Sequence, residues 1–111
     1  MATPAEGDWT PLFVRVNATA DGNNTLIAAV GGKQLWILSY ALVVSAAGTI
    51  TLQDDQGTPA IFATFPLAAN GGISYAGGRE APAFFVAAGQ ALVLNNPVGV
   101  DTLGHISYQT S

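Results

Sequence analysis

The sequence predicts an all-β domain, an antiparallel β-sandwich, and three observations carry that prediction. Glycine occurs 13 times in 111 residues, and turn signals such as Asp21-Gly22, Gly31-Gly32, Gln56-Gly57 and Asn70-Gly71-Gly72 recur roughly every 8 to 15 residues. Between the turns lie short runs of branched and aromatic residues, which suit a pleated, half-buried surface. No window sustains the three–four apolar spacing, with charge opposite, that an amphipathic helix needs.

The elements follow in order. Residues 1–10 read as an irregular, polar, proline-marked arm, and residues 11–111 as the sandwich domain. The first strand is expected over 12–19, with Leu12, Val14 and Val16 on one side, and the second over 24–30. A long third run covers 33–46. Residues 48–53 alternate, with Ile50 and Leu52 inward and Thr49, Thr51 and Gln53 outward. Residues 54–57 turn the chain. Residues 60–67 follow, with Ile61, Ala63, Phe65 and Leu67 on one face. Shorter strands are expected over 72–75, 82–87 and 91–95, and a last one over 103–109 with Ile106 and Tyr108 together. No connection has room for a crossover helix, so pairing is antiparallel. Eight or nine short strands of this kind fit a jelly roll or a related two-sheet sandwich.

Composition narrows the function. Only 9% of the residues are charged, against about 25% in an average soluble domain. Half of the chain is hydrophobic. Such a chain has little polar material with which to cover its surface, so part of that surface is expected to lie against protein partners. The net charge is −4, and the basic residues are three: Arg15, Lys33 and Arg79, far apart in sequence. That pattern excludes a phosphate-neutralising stripe, so no nucleic-acid partner is expected. The longest nearly apolar run, residues 35–47, is shorter than the roughly 18 to 20 residues of a spanning helix, and no membrane partner is expected either.

The third run is apolar on both sides. Simple alternation puts Leu35, Ile37, Ala41 and Val43 on one face and Trp36, Leu38, Tyr40, Leu42 and Val44 on the other. A strand with one wet face alternates apolar and polar residues, so both faces of this one are expected to be dry. One meets the core. The other meets a second subunit, or is covered by the N-terminal arm of the same chain. Phe84-Phe85 straddle a strand, so one of the two is expected outside the core.

The stretches Lys33-Gln-Leu-Trp-Ile-Leu-Ser-Tyr, Ala46-Ala-Gly-Thr-Ile-Thr-Leu, Pro66-Leu-Ala-Ala-Asn-Gly-Gly, Ala87-Ala-Gly-Gln-Ala-Leu-Val-Leu-Asn and Gly104-His-Ile-Ser-Tyr108 occur in an order similar to that of small jelly-roll proteins of tailed bacteriophages. Some of these are capsid decoration, or cement, proteins. The resemblance spans about residues 33–108 and leaves the arm outside. It implies a jelly roll, a homotrimer, the major capsid protein as partner and a place on the outer surface of the capsid in the virion. Tail or fibre components, with receptor or carbohydrate binding, are the alternative within the same resemblance.

The residues themselves supply little chemistry. Cysteine is absent and His105 is the one histidine, so thiolate metal sites and cysteine nucleophiles are excluded. No Gly-x-Ser-x-Gly elbow presents a serine to His105. Asp54-Asp55 offer calcium ligation or a hairpin turn, and the turn suits adjacent residues better. No enzyme activity, metal or cofactor is expected. The candidate subunit contacts are Trp36, Leu38, Tyr40, Phe84, Phe85 and His105. The candidate capsid contacts lie in the arm: Thr3, Pro4, Glu6, Asp8 and Trp9, with Trp9 as a buried anchor. An arm with no docking role is the alternative.

Overall fold

The structure, a computed structural model, describes residues 11–111. Expectations that fall on the arm, including the candidate contacts Thr3, Pro4, Glu6, Asp8 and Trp9, lie outside the described residues. Nine strands are present: β1 (Leu12–Ala18), β2 (Gly22–Ile27), β3 (Leu35–Val44), β4 (Gly48–Gln53), β5 (Ile61–Leu67), β6 (Gly72–Tyr75), β7 (Phe84–Val86), β8 (Leu92–Asn96) and β9 (Thr102–Thr110). No described residue is helical.

The pairings are nested. β1 pairs with β9, β2 with β8, β3 with β6 and β7, and β4 with β5, all antiparallel. Two further antiparallel ladders, β3 with β9 and β4 with β8, join these pairs edge to edge. The result is a first sheet of order β1-β9-β3-β6, with β7 also on β3, and a second of order β2-β8-β4-β5. The two antiparallel sheets pack face to face as a β-sandwich.

Between them lies one core. Val16, Leu35, Ile37, Leu42, Val44 and Ile106 come from the first sheet, and Ile50, Leu52, Leu92 and Leu94 from the second. Each side chain of this size contributes about 1.5–3 kcal/mol when fully buried. Asn96 and Thr102 close one end of this layer. Both are buried; the Thr102 hydroxyl donates to Asn96 Oδ1 at 2.8 Å, and Asn96 Nδ2 donates to the carbonyl oxygen of Ala18 at 2.9 Å. A buried polar group is stable only when bonded in this way.

Turns follow the glycine and asparagine signals. In the β5–β6 turn Asn70 has φ 61°, and the amide of Gly71 donates to the carbonyl of Ala68 at 2.8 Å. Asparagine tolerates this left-handed conformation because its short polar side chain bonds locally.

The expected faces need two corrections, and β-bulges cause both. Along β3 the register with β9 shifts between Ile37, opposite Tyr108, and Ser39, opposite Ser107. Leu38 is the extra residue. A single inserted residue inverts the alternation beyond it. Leu35 and Ile37 therefore share the core with Tyr40, Leu42 and Val44, while Trp36 faces outward with Ala41 and Val43. Trp36 and Tyr40 lie on opposite faces. Along β5 the register shifts around Phe62. Phe62 turns inward to stack on Phe84, with ring centroids 4.7 Å apart, and Ile61 is left 56% exposed instead of joining Ala63, Phe65 and Leu67.

Candidate functional site

The outward faces of the two sheets are chemically unlike. On the second sheet a row of Asn23, Asn95, Thr51 and Thr64 crosses four strands. Asn23 Oδ1 accepts from Asn95 Nδ2 at 2.7 Å and from Gln53 Nε2 at 3.3 Å. That row is polar and partly hydrogen-bonded within the face, and Ile61, on the edge strand β5, is the large apolar residue exposed beside it.

The outward face of the first sheet is largely apolar. Register defines its rows. Asn17, Leu103, Val43 and Gly72 form one, Arg15, His105, Ala41 and Ser74 the next, and Phe13, Ser107 and Ser39 a third. The hydroxyls of Ser39 and Ser107 hydrogen-bond to each other. At the far end Trp36 stands opposite both Gln109 and Phe85. Phe13 is 77% exposed, Val43 51%, Leu103 49% and Phe85 47%. Four large apolar side chains on one sheet face form the kind of patch that marks an interaction surface rather than scattered exposure.

Charge on this face is sparse and of one sign. The five strands of the sheet contain no Asp and no Glu. Arg15 stands directly opposite His105. Two shallow hollows, of about 650 and 400 Å³, adjoin the pair, and Gly104 and His105 line both. Gly104 has φ +152°, and a Cβ there would lie 1.9 Å from the carbonyl oxygen of Ala41. Only glycine lets β9 run this close to β3.

The candidate contacts divide between the faces. Trp36, Phe85 and His105 are outward. Trp36 meets Phe85 edge to face, with centroids 5.1 Å apart and an interplanar angle of 83°. Leu38, the bulge residue, is buried. Tyr40 and Phe84 do not belong to the outward face, a correction that follows from the bulge for Tyr40 and from alternation along β7 for Phe84. Tyr40 packs between the sheets, its ring 5.9 Å from Phe65 and 6.1 Å from Tyr75. Burial pushes its phenol above the ordinary value of 10.0, and neighbouring Tyr75 adds to the shift. Phe84 stacks on Phe62 while Phe85 faces out, so one member of the Phe84-Phe85 pair does stand outside the core.

The sequence reading singles out neither Phe13, Arg15, Val43 nor Leu103 as contact residues. Alternation against Leu12, Val14 and Val16 already puts Phe13 and Arg15 outward, and alternation against Ile106 does the same for Leu103. Val43 carries no such signal, because the bulge at Leu38 reverses its face.

Asp54 and Asp55 serve the β4–β5 turn and its surroundings. Asp54 Oδ1 accepts from the amides of Gln56 at 3.1 Å and Ala60 at 3.0 Å, and its other oxygen accepts from Gln56 Nε2. Asp55 Oδ1 accepts from the amide of Ala91 at 3.0 Å. Burial pushes the Asp54 carboxyl up, but the hydrogen bonds from Gln56 and Ala60 outweigh it and hold the group below its ordinary 3.8. Among the described residues no three His, Cys, Asp or Glu side chains converge as metal ligands do.

No protein-family model matches the chain, and no curated protein matches it either.

Proposed function

We propose that the chain is a structural assembly protein of a phage particle, a decoration protein that binds the outside of the capsid as a homotrimer and stabilises the shell. The observation that carries this reading is the apolar outward face of the first sheet, with Phe13, Val43, Leu103 and Phe85 exposed on it. A face of this kind is costly to leave in water and gains by being covered. The nested pairing adds support. First strand with last, second with second-to-last, and so inward, is the order of a hairpin rolled into a jelly roll. The mechanism is mechanical. A trimer that touches several capsid subunits adds contacts that must break together, and its multivalency raises the effective affinity without any single strong contact.

The test is co-sedimentation of the purified chain with emptied, expanded phage heads, followed by electron microscopy. Trimeric density at threefold positions is the expected result. Absence of binding to any head, together with density on the tail, would replace this reading with the second one.

That second reading, a tail or fibre component with carbohydrate affinity, draws on the hollow beside Phe13, Arg15, Asn17 and His105. An aromatic flanked by hydrogen-bonding side chains suits a sugar ring. Binding on a glycan array, lost in Phe13→Ala, is the outcome that favours it.

A further inference from the structure

The outward face of the first sheet combines two features that constrain its partner. It is apolar over Phe13, Leu103, Val43 and Phe85, and its centre holds Arg15 directly opposite His105. Arg15 brings a guanidinium cation with several hydrogen-bond donors and no acceptor. The sheet supplies no carboxylate of its own, since none of its five strands contains Asp or Glu. Covering this face with an apolar partner alone would strip water from the guanidinium without replacing it, and an unpaired buried charge is strongly destabilising. Whatever covers the face must therefore bring an acid.

Symmetry narrows the choice further. A two-fold contact through this pair sets Arg15 and His105 of one copy against the same residues of the other. Like charges would meet, with no acid between them. A contact between copies therefore sets this face against a different, acid-bearing part of the other molecule, exchanged reciprocally about a two-fold or passed head-to-tail around a ring. Head-to-tail contacts close into rings such as trimers.

Among the acid-bearing parts of the chain, residues 1–10 fit best. Their ionisable side chains are Glu6 and Asp8, with Pro4 and Trp9 beside them and no Lys or Arg. They thus offer carboxylates together with apolar groups. They join the domain at β1, the strand that carries Phe13 and Arg15. Ten extended residues reach up to about 33–36 Å, longer than the 29 Å middle extent of the molecule. By contrast, Asp54 and Asp55 are engaged by the amides of Gln56, Ala60 and Ala91, Asp21 Oδ1 accepts from the amide of Gly99, Glu80 directly follows Arg79 in the β6–β7 loop, and Asp101 is half-buried before β9 with its backbone bonded to Ser45.

We propose that the outward face of the β1-β9-β3-β6 sheet receives residues 1–10 of a second copy of this chain, with Glu6 or Asp8 placed on Arg15 and His105. This rests on the reading of the chain as an assembling protein, and it gives the N-terminal segment a role between copies.

The experiment is sedimentation equilibrium of the full chain, wild type and variants, with thermal melting as the check on folding. Arg15→Glu is expected to weaken association about tenfold or more while leaving the melting of the dissociated chain unchanged. Combining Arg15→Glu with Glu6→Lys and Asp8→Lys is expected to restore association. An oligomer that Arg15→Glu leaves intact overturns the carboxylate contact and leaves the assembly reading standing. Arg15→Glu that lowers the melting temperature without changing the mass overturns it too, since the acid then belongs to the same chain. Loss of association that the charge swap does not restore excludes residues 1–10 as the source. A wild-type chain that stays monomeric at every concentration overturns both this contact and the assembly reading.

Discussion

Single residues set the local conditions on which the sheets depend, and Asp54 is the clearest case. Its carboxylate stands in for missing backbone partners in the β4–β5 turn by accepting from two amides and one side-chain amide. Those bonds favour the charged form, so the folded protein binds the proton less readily than the unfolded chain does. Stability from this group is therefore present above the unfolded value, near 3.8, and is lost as pH falls through the lower folded value. Melting temperatures measured from neutral pH down to below that value are expected to fall most steeply at its acid end. Asp54→Ala is expected to cost about 1–3 kcal/mol at neutral pH and to flatten part of that acid slope. Gly104 is a second such residue. With φ +152° and no space for a Cβ against Ala41, Gly104→Ala is expected to destabilise by about 2–4 kcal/mol in denaturant unfolding.

At the scale of elements, the bulge at Leu38 decides which half of β3 faces what. It divides a strand that is apolar on both sides into two segments of opposite phase. A pair of substitutions checks this directly. Tyr40→Asp puts a charge between the sheets and is expected to destabilise by more than about 3 kcal/mol, whereas Val43→Asp, on the outward face, is expected to change the stability of the dissociated chain by no more than about 1 kcal/mol. Equal losses would mean that the two residues share a face. The contrast also marks how far the sequence could be read. All nine strands are legible, because glycine-marked turns bound them and period-two patterning fills them, and the bounds of β4 and β6 come out as the pattern has them. The bulges at Leu38 and Phe62 are not legible. An inserted residue in an all-apolar run leaves no local sign, because its effect is a phase relation with β9 or β4 across the sheet. For the same reason the candidate contacts Trp36, Phe85 and His105 lie on the outward face, while Tyr40 and Phe84 pack between the sheets. That the outward face of the first sheet is greasy and that of the second polar appears only once register joins Phe13, Leu103 and Val43, residues from three strands.

For the whole molecule, low charge and one-sided greasiness are the same fact seen twice. Charged side chains make up 9% of the chain, and among the described residues no acid lies in a strand of the first sheet. If that face is covered by association, the folded state is favoured by mass action, and the melting temperature is expected to rise with protein concentration. Differential scanning calorimetry over a wide dilution series reads this; a melting temperature independent of concentration would mean that the face is exposed as the protein melts.

The nesting of the strands also bears on how the protein is made. Its outermost pair joins β1 to β9, so β1, the earliest of these nine strands to be synthesised, waits for β9, the latest of them, before its ladder can form. No early fragment can complete the first sheet, and the contacts that close it span nearly the whole domain, which is the slow kind of topology. During that wait the greasy ribbon of β3 has no lasting shelter. Nascent chains stalled before β9 should accordingly be held by chaperones or lost to proteolysis, while chains released just beyond it escape both.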